Sequence, residues 1–109
     1  MRLIIIGLLA FIIFISGCGQ TAEDSSPVAI NSISIEGFAF EPDTIIVDSG
    51  TEVIWINNHE VVHTIVSQGL FESEVLNRGD EFRFTFSEPG EYDYYCGIHP
   101  SMRGKVIVR

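Results

Sequence analysis

From Ile33 onward, apolar and polar residues alternate in short runs. Ile33 and Ile35 flank a serine, and Phe38 and Phe40 repeat that spacing after Gly37. Thr44–Val47, Val53–Ile56 and Thr64–Ser67 are rich in β-branched residues. They end at Asp48-Ser49-Gly50, Asn57-Asn58 and Gln68-Gly69 respectively. Phe82, Phe84 and Phe86 share one face of a further run, as do Tyr92, Tyr94 and Cys96, and Lys105–Val108 closes the chain. Successive side chains of a strand point to opposite faces, so a period of two marks a half-buried strand. Runs of this composition, separated by turn formers, predict an all-β fold of the β-sandwich type. Gly37 is expected to make a bulge or bend. Glu88-Pro89-Gly90-Glu91 suits a type II turn, with Pro second and Gly third. Phe71–Leu76 is expected to give one short helical turn at most, and no segment between Ile33 and Val108 has a convincing helical period.

The first residues follow another pattern. Met1-Arg2 precedes an apolar run from Leu3 to Ile15, and Ser16-Gly17-Cys18 follows. A basic start, a short apolar stretch and small residues are the marks of a secretory signal. The run falls short of the roughly 20 residues that a membrane-spanning helix needs. "ISGC" resembles the lipobox of bacterial-type lipoproteins, which implies cleavage before Cys18 and lipid on its sulfur. Gln20–Val28 is small and polar and contains Pro27, as a flexible tether would be. The expected division is a signal peptide over 1–17, a lipidated cysteine and linker over 18–29, and one folded domain over 30–109. The mature protein would be extracytoplasmic and anchored to a membrane as a lipoprotein rather than spanning it.

A domain that small has a marginal core unless a disulfide or a metal adds to it. The chain has only two cysteines. With Cys18 committed to lipid, Cys96 stands alone in an oxidising compartment, where a lone thiol needs either burial or a metal to protect it. Charge narrows the partners. With 15 Asp and Glu against 6 Lys and Arg, the chain lacks the basic clusters that bind phosphates, which argues against nucleic acid. The acidity favours solubility and could steer a basic partner.

Two stretches carry candidate chemistry. "HEVVH", residues 59–63, matches the HExxH pattern of zinc proteases. That pattern works only on a helix, where positions four apart meet on one face. On a strand they lie about 13 Å apart. Val61, Val62 and the β-branched flanks disfavour a helix, so the peptidase reading fails. His59 and Glu60 are then expected to be solvated loop residues. The second stretch runs from Tyr94 to Met102, with the spacing C-x2-H-x2-M opening directly after a strand. Singly, each residue has an ordinary alternative: Cys96 a buried thiol, His63 a strand-end histidine, His99 a surface residue, Met102 a core filler.

Together with the flanking segments "FAFEPDTIIVDSGTEVIWIN", "HTI" and "FSEPGEYDYYCGIHPSMRGKVIV", these residues resemble the cupredoxins, the small blue copper proteins of the plastocyanin and amicyanin type. The resemblance runs from Ile33 to Val108. The short Cys-to-Met loop is closer to amicyanin. It implies a Greek-key β-sandwich holding one type 1 copper per chain, with His63, Cys96 and His99 in the plane and Met102 axial. A thiolate and two imidazoles with a weak thioether suit both Cu(I) and Cu(II). It also implies an apolar docking patch around His99, formed by Ile98, Pro100, Val61 and Val62, and an outward-facing Tyr95. Trp55, Phe82, Phe84, Phe86 and Tyr92 are better read as core than as electron relays. Backbone near Thr64 is expected to hydrogen-bond Cys96. The family carries Asn where this chain has Thr64, which puts the tether between the two ligand loops in question.

The expected function is a monomeric electron carrier, not an enzyme, since four protein donors leave the metal no open position for substrate. Its partners would be redox proteins such as a cytochrome or an oxidoreductase. Copper delivery is the alternative, disfavoured because Met102 is the only methionine after the signal segment.

Overall fold

The computed structural model describes residues 30–109. The residues on which the signal-peptide, lipidated-Cys18 and linker expectations fall, 1–29, lie outside the described residues. Nine strands make two sheets: β1 (Ser32–Glu36), β2 (Ala39–Glu41), β3 (Thr44–Val47), β4 (Thr51–Asn57), β5 (Val66–Ser67), β6 (Phe71–Glu72), β7 (Glu81–Phe86), β8 (Gly90–Tyr95) and β9 (Arg103–Val108). One sheet has the order β2-β1-β4-β7 and the other β3-β9-β8-β5-β6. The β1–β4 and β3–β9 pairs are parallel and the rest antiparallel. No helix occurs among the described residues. The fold is the expected all-β sandwich of two sheets.

The alternation read along the chain becomes the core. Ile33, Ile35, Val53, Trp55 and Phe86 from one sheet meet Ile45, Val47, Tyr94, Val106 and Val108 from the other, all buried. Phe71, Phe82, Phe84 and Tyr92 pack partly buried against them. Trp55 is ringed by Phe71, Phe82, Phe86 and Tyr94 at centroid distances of 5.3–6.4 Å, aromatic packing that gives a small domain much of its apolar mass.

Two expectations are corrected and one is made specific. Phe71–Leu76 is not a helical turn. Phe71 and Glu72 form a strand, and residues 73–76 run beside 63–65, bonded through His63–Leu76 and Ser73–Ile65. The segment is extended because its backbone groups satisfy those of the buried His63–Ile65 stretch. Glu88–Glu91 is not a type II turn. Gly90 takes φ +154° and opens β8, while the Glu88 carbonyl accepts the Tyr92 hydroxyl at 2.7 Å. Gly37 makes the expected bend, and not a bulge. Gly37 and Phe38 have φ +57° and +62° and form the two-residue loop between β1 and β2, the signature of a type I′ hairpin.

Candidate metal centre

Two connections at one end of the sandwich converge. The first leaves β4 at Asn57. The Asn57 side chain is fully buried. Its Oδ1 accepts the His59 N–H at 2.9 Å, and its Nδ2 donates to the carbonyls of Val61 (3.0 Å) and Leu76 (2.9 Å). These bonds curl residues 57–61 into a tight loop that delivers His63 into a two-way backbone bridge with Leu76. The HExxH stretch therefore lies on a loop, without the helix a zinc protease site requires. The second connection joins β8 to β9. The Cys96 N–H donates to the Met102 carbonyl at 3.1 Å, and the Met102 N–H donates to the His99 carbonyl at 2.9 Å. The loop is closed on itself, with Met102 buried beneath it.

Three donor atoms meet there. Cys96 Sγ lies 3.5 Å from His63 Nδ1 and 3.9 Å from His99 Nδ1, and the donors of all three residues fall within 4.8 Å of one another. A metal bound in a trigonal plane at usual thiolate and imidazole lengths, about 2.3 and 2.1 Å, would set sulfur and nitrogen about 3.8 Å apart. The observed separations straddle that value, so the residues present fit such an ion. Cys96 and His63 are fully buried. Two backbone N–H groups point at the sulfur, from Thr64 at 3.5 Å and His99 at 3.4 Å, and would spread the charge of a thiolate. Burial, then the neighbouring His99 and His59 rings, lower the pKa of His63. Its neutral, ligating form is thereby favoured.

Threonine at position 64, where the resemblance implies asparagine, leaves the two loops joined. Thr64 Oγ1 accepts the Gly97 N–H at 2.9 Å, so a shorter side chain makes the tether. Two residues were missed in the sequence. His59 is partly buried rather than freely solvated: its Nδ1 lies 3.0 Å from His63 Nε2. The loop that Asn57 winds turns the ring inward, which no periodicity signals. Phe38, half exposed, stands edge-on to His59, His63 and His99 at centroid distances of 4.6, 5.9 and 5.1 Å. Glu60 is exposed as expected.

The family model of the cupredoxin-like domain matches residues 5–108. The chain belongs to the cupredoxin-like family. Amicyanin of Paracoccus versutus is 34% identical over 82 residues, covering 70% of this chain and 62% of that protein. The chain thus spans about three fifths of that relative's length. A novel purple cupredoxin from Nitrosopumilus maritimus superposes with a TM-score of 0.71 at 35% identity, over 73% of this chain and all of that one. Amicyanin variants solved reduced (TM-score 0.68, 32% identity, 72% of this chain and 80% of that) and oxidised (0.71, 29%, 74% and 83%) share the fold. As a cupredoxin, the chain carries one type 1 copper, for which its cysteine and histidine donors are the fitting set.

Proposed function

We propose that this cupredoxin is a one-electron carrier, with His63, Cys96 and His99 as in-plane copper ligands and Met102 as the axial one. The observation that carries the proposal is the meeting of Cys96 Sγ with two imidazole Nδ1 atoms at 3.5 and 3.9 Å. Bound there, copper supplies a reversible Cu(I)/Cu(II) couple. The chain's own residues do the rest. The closed Cys96–Met102 loop and the His63–Leu76 bridge hold the donors so that they need not move when the charge changes. Burial of His63 and Cys96 keeps water from the sulfur. His99, only partly buried and flanked by exposed Phe38 and Ile98, presents the edge through which an electron would leave. Four protein donors leave no position for a substrate, which supports a carrier rather than an enzyme. The oxidised and reduced amicyanins agree with such cycling.

The signal-like residues 1–17 and Cys18 support a lipoprotein tethered outside the cell membrane. Its partners would be redox proteins, a cytochrome or an oxidoreductase, docking briefly on the apolar surface around His99. Titration of the purified protein with Cu(II) tests the proposal. An intense visible thiolate-to-copper band, blue or purple, is expected at one copper per chain, reversible on reduction and lost in Cys96→Ser. A colourless complex would overturn it. A coloured protein with slow electron self-exchange that yields copper readily to a chelator would favour delivery.

A further inference from the structure

His63 turns one nitrogen to the metal centre and the other to His59. Its Nδ1 lies 3.5 Å from Cys96 Sγ, and its Nε2 lies 3.0 Å from His59 Nδ1. The two rings are inclined by only 20°, with centroids 5.3 Å apart. A 3.0 Å nitrogen–nitrogen contact is a hydrogen-bond length, shorter than the roughly 3.5–4 Å of rings in van der Waals contact. A neutral imidazole carries one proton. If Nδ1 is to offer a lone pair beside the cysteine sulfur, that proton must sit on Nε2. His63 is fully buried, so an Nε2–H without an acceptor would be costly. His59 Nδ1 is the acceptor within reach.

Local structure holds that acceptor in place. Asn57 Oδ1 fixes the His59 backbone N–H at 2.9 Å, and Asn57 Nδ2 ties the far side of the loop at Val61. Phe38 meets the His59 ring edge-on at 4.6 Å and 82°. Phe38 reaches this place from a left-handed backbone, φ +62°, which a side chain with a Cβ adopts only at a cost. Non-glycine residues in such conformations cluster where function over-determines them.

We propose that His59 is a positioning residue for the metal centre. Its Nδ1 accepts the Nε2 proton of His63 and fixes the tautomer whose Nδ1 faces Cys96, with Phe38 clamping the His59 ring. The inference rests on the metal reading above, but its first test does not need the metal. His59→Asn keeps an acceptor, since Oδ1 stands as many bonds from the backbone as Nδ1 does. His59→Phe keeps an aromatic ring and removes the acceptor. Long-range nitrogen–proton NMR of the reduced, copper-free protein at about pH 8, where histidine is neutral, reads the tautomer. Wild type and His59→Asn are expected to hold His63 as a single Nε2–H tautomer with a slowly exchanging proton. His59→Phe is expected to show both tautomers and at least tenfold faster exchange. A single protected Nε2–H tautomer in His59→Phe overturns the proposal, as does His59→Asn behaving like His59→Phe.

With copper bound, loss of such an outer partner costs metal sites about 10–100-fold in affinity. Release to a chelator is expected to quicken at least tenfold in His59→Phe and less than threefold in His59→Asn. If His59→Phe does not fold, Phe38→Leu touches neither histidine's nitrogens and should raise His63 Nε2–H exchange at least threefold; unchanged exchange overturns the clamp. A protein that binds no copper but shows the expected tautomers refutes the carrier function and leaves this inference standing.

Discussion

At the scale of single residues, two glycines leave room that neighbouring side chains occupy. A Cβ on Gly97 would lie 2.7 Å from Thr64 Oγ1 and 3.2 Å from Val66 Cγ2, at the point where Thr64 accepts the Gly97 N–H. Gly97→Ala must push the two ligand loops apart, and overpacking of this kind costs about 1–3 kcal/mol. Thr64→Val keeps the volume and loses only the acceptor, worth about 1 kcal/mol. Urea denaturation of both variants, with the visible band recorded alongside, checks the order. Gly104 lies against Tyr94, and a Cβ there would collide with the Tyr94 Cζ and hydroxyl oxygen. Tyr94 itself is nearly fully buried, its hydroxyl has no conventional hydrogen bond, and burial drives its pKa well above the ordinary value near 10. The folded state therefore holds this proton more tightly than the unfolded chain does. The stabilisation is present below pH 10 and declines as pH rises above it. An alkaline melting series should show stability falling above about pH 10, and the fall should shrink in Tyr94→Phe.

At the scale of elements, the β1–β2 hairpin exchanges backbone comfort for cover over the histidines. Phe38→Gly would relieve a left-handed conformation worth roughly 1–2 kcal/mol and uncover His59, His63 and His99. The expected outcome is a copper-free protein at least as stable as the parent, whose copper is lost faster to a chelator. Asn57→Ala should do the opposite. It removes one accepted and two donated bonds in a buried loop, a loss of roughly 2–4 kcal/mol, measurable in the copper-free protein. These elements also mark what could be read in advance. β1, β4, β7 and β8 were legible because alternation is a local signal, and His63, Cys96 and His99 because a thiol and two imidazoles at family spacing are rare by chance. The His59 contact and the extended 73–76 segment were not. They depend on side chains bonding backbone across the fold, Asn57 to Leu76 and Ser73 to Ile65, and such bonds leave no period in a sequence.

At the scale of the molecule, the chain has a net charge of −9, and the ion pairs of its sandwich are exposed, such as Arg83 with Glu52 and Glu81 and Lys105 with Glu91. Pairs of that kind contribute little to stability. The charge acts at a distance instead. Electron exchange with a small cationic redox complex should slow as salt is added, and exchange with an anionic one should quicken. Stopped-flow traces across ionic strength decide it, and a flat response for both would refute steering. Copper held at a site that only the folded chain assembles should raise the melting temperature, by an amount equivalent to at most about 4 kcal/mol when present at a thousand times its dissociation constant.

The Thr64–Gly97 bond has one more consequence. Because it joins the strand end carrying His63 to the loop carrying Cys96 and His99 through protein atoms alone, it should hold the donors together whether or not copper is bound. Loading should then proceed as a single rapid, concentration-dependent event, with no slower rearrangement trailing behind it. Severing that one link should bring the lag into view.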